Sequence, residues 1–257
     1  VVEKAHRRPR FVEDCVREMV RGVVERFPIL TERHFVSARQ ENLETIHQHN
    51  VTAERFGLLG AAVASDAGTR RLIGVRVQGL TACPCAQTII QASSHERLRA
   101  DGFTEDEIER IFEAVPVATH NQRGLGTLHI GFPEGTDANI EARTLLDIVE
   151  GSMSSEIYEL MKRSDEAAVV EKAHRRPRFV EDCVREMIGG VVECFPALAD
   201  AAYVSARQEN LETIHQHNVV AERFGLLGEL RRELTTGEMA ATHLSRRAWL
   251  DGARGSA

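Results

Sequence analysis

Arg70-Arg71-Leu72-Ile73-Gly74-Val75-Arg76-Val77-Gln78-Gly79-Leu80-Thr81 alternates apolar and polar side chains along most of its length. Successive side chains of a strand point to opposite faces, so this pattern is what a half-buried strand requires. Gly126-Thr127-Leu128-His129-Ile130-Gly131-Phe132 reads as its partner. Two helical segments, residues 88–99 and 104–114, separate the two strands. Residues 142–163 read as one further helix, with Thr144 or a neighbour as its cap. Phe179, Val180, Cys183, Val184, Met187, Val191 and Val192 then recur at three- and four-residue spacing, an amphipathic helix starting just past Pro177. Phe195-Pro196 stops it, because proline disfavours the helical conformation in the residue before it. The stretch beginning Tyr203-Val204-Ser205-Ala206 reads as a strand, and residues 219–227 as another strand or a short helix. The order predicts an α+β fold in which antiparallel strands are backed by helices.

Outward from this block the chain repeats itself. Residues 1–60 recur as residues 169–228, with ten differences in 60 positions. Tandem modules of ancient origin diverge much further, and a repeat of this size bears on the whole architecture. The 257 residues suffice for one large domain or two small ones, and 42% hydrophobic and 28% charged residues are ordinary for a folded protein. A net charge of -7, with arginines interleaved among glutamates, argues against a general nucleic-acid binder but not against a local triphosphate pocket. No apolar run reaches the roughly 18 to 20 residues that span a bilayer, and the first ten residues hold no apolar signal core, so a cytoplasmic protein is expected. The five cysteines, Cys15, Cys83, Cys85, Cys183 and Cys194, suit a reducing compartment better than a disulfide framework.

Four motifs carry candidate chemistry. Leu80-Thr-Ala-Cys-Pro-Cys-Ala-Gln places Cys83 and Cys85 too close for the usual zinc knuckle; one thiolate joined by distant ligands fits, and so does a buried structural cysteine. In Ala118-Thr-His-Asn-Gln-Arg-Gly, His120 offers a neutral imidazole to a metal, with Asn121, Gln122 and Arg123 available to support it or to contact phosphate; a surface-loop histidine is the competing reading. Glu156, read here as lying on a helix beside Ile157 and Met161, is a possible third ligand or an ordinary solvated glutamate. Finally, Glu209-Asn-Leu-Glu-Thr-Ile-His-Gln-His-Asn, duplicated at residues 41–50, sets Glu212 and His215 three apart, so one helical turn brings them together for proton transfer. His174 and His217 read as polar surface.

Together these motifs resemble the type IB GTP cyclohydrolase family, and the wording Thr-Ala-Cys-Pro-Cys-Ala-Gln with Thr-His-Asn-Gln-Arg is similar to its archaeal, methanopterin-pathway branch (MptA). The resemblance covers residues 62 to 250. It implies the tunnelling fold, a bimodular family here with an incomplete first module: residues 1–61 as a partial module, 62–230 as a complete one and 231–257 as a tail. It further implies a homo-oligomer, dimer or tetramer, with active sites at interfaces. Cys83, His120 and Glu156 would hold the metal, Fe(II) in the archaeal branch, with Zn or Mn possible. Glu212 and His215 would be the acid/base groups, and Glu171, Gln122 and Arg123 would bind substrate, Glu171 at the guanine edge. The implied reaction opens the guanine imidazole ring of GTP, releases formate and leaves 7,8-dihydroneopterin 2',3'-cyclic phosphate and diphosphate. The alternatives are the bacterial-type triphosphate product, a nitrile reductase of the same fold, or a non-catalytic assembly module.

Overall fold

A computed structural model of the chain describes residues 11–43, 49–64, 69–133, 136, 138–240 and 243–252. Within them the alternating segment becomes β3 (Arg70–Ala82), paired antiparallel along its length with β4 (Asn121–Pro133), Val75 facing Leu128 and Thr81 facing Gln122. On one side the sheet continues through β2 (His49–Leu58) to β1 (Phe35–Leu43), and on the other through β6 (Tyr203–Leu211) to β7 (Val219–Leu226). Every pairing is antiparallel. Where β2 ends opposite Val77, a two-residue strand β5 (Ser155–Glu156) takes over the edge of β3 at Gly79 and Leu80. The observed architecture is the expected α+β one.

One face of the sheet carries the main core. Ile73, Val75, Val77, Leu128, Ile130, Phe132, Val204 and Ala206 meet Leu145, Leu146 and Val149 of α5 (Ala142–Ser152) and Cys183, Val184, Met187, Ile188 and Val191 of α7 (Val180–Cys194). A second cluster joins α1 (Val12–Arg26), through Val12, Val16 and Val20, to Ala38, Ala53 and Ala62 of β1, β2 and the short α2 (Leu59–Ala64). The opposite face holds Phe56, Leu72 and Tyr203 under Trp249 of α9 (Arg246–Gly252), whose indole stacks on Tyr203 at 5.3 Å and meets Phe56 edge-on at 5.7 Å. The insertion between β3 and β4 is the helix pair α3 (Pro84–Ala100) and α4 (Glu105–Ala114). Pro84 starts α3, where a missing N–H costs nothing, and Thr104 with Glu107 forms a capping box on α4.

The single helix expected over residues 142–163 is corrected. The chain leaves α5 at Ser152, forms β5, and re-enters a helix only at α6 (Arg163–Arg175). Gly151-Ser-Met-Ser-Ser is a poor helical run whose hydroxyls compete for backbone groups, and Ser154 Oγ accepts the Ala82 N–H at 3.1 Å. The N-cap of α5 is Glu141 rather than Thr144. Residues 219–226 are strand, and Leu227 begins α8 (Leu227–Thr236). Among the described residues no helix is long and apolar enough to cross a membrane.

Candidate metal and acid/base site

The site grows from the end of β4. His120 is the residue before that strand, and its carbonyl accepts the Cys83 N–H at 3.3 Å, closing the mouth of the α3–α4 insertion. Across the sheet, β6 ends at Leu211 and the following loop brings Glu212 and His215 over the same end. One ligand atom from each of His120, Glu212 and His215 lies within 4.8 Å of the others. The imidazoles of His120 and His215 sit edge to face at 6.0 Å, and His217 is 5.6 Å beyond. Thr213 Oγ1 donates to the Asn121 carbonyl at 3.3 Å and so ties the loop to β4. Glu212 and His215 come together as expected, but through this irregular loop and not through a helical turn.

Gln122 alternates inward on β4 and is almost fully buried; its amide donates to Glu212 Oε1 at 3.3 Å. Arg123, one residue on, is exposed. Cys83 is the N-cap of α3, its sulfur accepting from the Ala86 N–H at 3.5 Å. Glu156 lies on β5, not on a helix, and its carboxylate is held by Lys172 at 2.5 Å and Tyr158 at 2.8 Å. Burial pushes its pKa up, but the Lys172 and Tyr158 hydrogen bonds outweigh that and leave it at about 2. Neither Cys83 nor Glu156 belongs to the 4.8 Å group. Glu171, on α6, pairs with Arg175 of its own helix at 2.8 Å.

His174, read from the sequence as surface, is instead buried: its ring nitrogens face the Val170 carbonyl at 2.8 Å and the Thr119 carbonyl at 3.1 Å. Gln87 of α3 donates to the Val117 and His174 carbonyls. These two side chains fasten the segment before His120 to α3 and α6. Only the Gln at the end of the cysteine motif hinted at this. The buried Cys183 thiol is pushed by burial up to about 12, which removes it as a thiolate.

The donor set fits a cation. His120 Nδ1 is buried and has no protein partner, an unsatisfied position of the kind a metal ion fills, and one nitrogen of the His120 ring lies close to a carboxylate and a second imidazole. Two imidazoles and a carboxylate at this spacing are a donor set compatible with a metal ion. The family model of type I GTP cyclohydrolase folE2 matches residues 1–53 and 57–221, and the chain belongs to that family. Its relatives include the GTP cyclohydrolase MptA of Methanococcus vannielii, 48% identical over 175 residues that make up 67% of this chain and 55% of that protein. The MptA proteins of Methanocaldococcus jannaschii (38% over 233 residues, 88% of this chain and 74% of the relative) and Methanosarcina mazei (46% over 186 residues, 72% and 58%) are similar. The matched region thus spans between about half and three quarters of these relatives.

Proposed function

We propose that this chain is a metal-dependent GTP cyclohydrolase of the methanopterin branch, opening the guanine imidazole ring with loss of formate. The observation that carries the reading is the convergence of His120, Glu212 and His215, with a ring nitrogen of His120 buried and unpartnered. The named relatives supply the substrate, GTP. The metal, Fe(II) in this reading with Zn or Mn as alternatives, supplies a Lewis acid that lowers the pKa of water toward about 7. His120 is its anchor. Cys83, joined to His120 through the backbone, would supply the sulfur ligand, and Glu156 completes the set only by exchanging its Lys172 partner for the ion.

The remaining steps belong to the chain's own groups. Glu212 and His215, as acid/base pair, take a proton from the attacking water and return one to the ring nitrogen released from C8, a contribution of about 10² to 10⁴ in rate. Gln122 holds Glu212 by its amide and so sets which carboxylate oxygen faces the substrate. Exposed Arg123 is suited to the triphosphate, and Glu171 to the guanine edge once it gives up Arg175. The product is 7,8-dihydroneopterin 2',3'-cyclic phosphate with diphosphate. A homo-oligomer and a cytoplasmic setting complete the reading, the latter in keeping with cysteines that are all free. Metal analysis of anaerobically purified protein, combined with a formate-release assay on GTP, is the test. Bound metal with formate supports the assignment; metal-free protein without turnover would leave a non-catalytic module, and nicotinamide-dependent reduction would mark the nitrile reductase.

A further inference from the structure

A histidine that binds a metal is usually oriented through its other ring nitrogen, by a carbonyl or a carboxylate. His120 Nδ1 has no protein partner, so no such bond holds the ring from that side. What is held firmly is the backbone that carries it. Residues 117–120 belong to no helix or strand, and irregular backbone needs partners for its polar groups. Gln87 of α3 commits its amide N–H groups to the Val117 carbonyl at 2.9 Å and the His174 carbonyl at 2.5 Å. His174 Nε2 lies 3.1 Å from the Thr119 carbonyl, and the Cys83 N–H donates to the His120 carbonyl at 3.3 Å. The His174 ring is 3% exposed, and its Nδ1 lies 2.8 Å from the Val170 carbonyl of its own helix. The imidazole is therefore a fixed strut between α6 and the segment that ends in His120.

These bonds join the elements from which the proposed site residues come. Gln87 is one turn from Cys83, whose carbonyl accepts the Gln87 backbone N–H at 3.3 Å. His174 is one turn from Glu171 and two residues from Lys172, the partner of Glu156. We propose that His174, with Gln87 behind it, is a positioning residue for the metal: through the Thr119 carbonyl it sets where the His120 imidazole stands relative to Cys83 and Glu156. It touches neither ion nor substrate. The inference rests on the metal reading given above. A side chain acting through one carbonyl is sensitive to where its donor points, more than to its bulk or polarity. The amide nitrogen of a glutamine reaches about as far as histidine Nε2, and that of an asparagine about as far as Nδ1. His174→Gln therefore keeps a donor for Thr119, whereas His174→Asn keeps only one for Val170.

Co(II), added anaerobically to the metal-free full chain, reports the site by its visible ligand-field bands and, against a competing chelator, by its dissociation constant. His174→Asn should weaken Co(II) binding about tenfold or more and alter the bands, as removal of a group that orients a metal-binding histidine does. His174→Gln should keep the parent's bands and affinity. Both substitutions remove the same buried ring, so a role in folding alone would lower both melting midpoints, followed by circular dichroism, and leave the two Co(II) spectra alike. Equal Co(II) binding by the two variants, kept or lost, or a loss that follows the melting midpoint, overturns the proposal. If His174→Asn does not fold, Gln87→Met decides in its place: it leaves the imidazole, removes both amide bonds and should weaken Co(II) binding about tenfold, and unchanged binding sinks the idea. A parent chain that takes up no Co(II) overturns the metal reading itself and this inference with it. A parent that binds Co(II) while the variants behave alike removes only the positioning role.

Discussion

At the residue scale the decisive group is His120, because its buried Nδ1 has no partner in the protein while Glu212 and His215 stand within reach. His215→Ala should lower kcat by about two orders of magnitude with metal content retained. Loss of metal in that variant would make His215 a ligand. Cys83→Ala should remove metal and turnover while leaving the fold largely intact, since only the α3 cap from Ala86 N–H is lost and the backbone bond to His120 survives; full metal stoichiometry would exclude Cys83 as a ligand. Glu156 is held below its usual range, so the fold has the benefit of its Lys172 pair above pH 4.5 and loses it as pH falls toward about 2. Glu156→Gln should flatten that acid limb, read from melting midpoints between pH 5 and 2. The individual candidate residues were legible in the sequence. Their grouping was not, because the loop that delivers Glu212 and His215 follows no period, and the pairing of Glu156 depends on a lysine sixteen residues away.

At the element scale, the alternation of β3 and β4 was readable because each has one face in the core. His129 occupies the other face, its ring lying over Gly74, where an added Cβ would come within 2.3 Å of the ring and 2.8 Å of the Leu128 carbonyl. Gly74→Ala should therefore cost about 1–3 kcal/mol by overpacking, measured by urea unfolding. Burial, with Arg246 and Arg39 nearby, lowers the His129 pKa from 6.5 to about 4. A depressed histidine supports the fold while neutral, so its contribution is intact above pH 6.5 and lost as pH falls to about 4. Stability should drop across that window, and His129→Gln should remove the drop while leaving the acid limb of Glu156 in place. The break between α5 and α6 escaped a reading by periodicity: Leu145, Val149 and Met153 keep helical spacing up to the point where β3 captures the chain as β5.

At the scale of the whole molecule, α9 closes the second face of the sheet, Trp249 stacking on Tyr203 beneath the Arg70 guanidinium at 4.7 Å. Trp249→Ala should cost about 3–5 kcal/mol in unfolding free energy and leave metal binding at the opposite end of β4 unaltered, a combination checked by urea titration and metal analysis together. The two near-identical units draw the line between sequence and tertiary structure. Amino-acid order alone determined that each is an amphipathic helix followed by a strand, since local periodicity and the Phe-Pro stop are the same in both, and left the last segment open between strand and short helix. It could not determine which copy would be central. β6 has both neighbours and Gln208 at 0% exposure, whereas β1, with the same Ser-Ala-Arg-Gln-Glu-Asn-Leu, lies on an edge. Burial is a property of what packs against a side chain, and only the tertiary structure places α5 and β4 beside one copy and leaves the other uncovered.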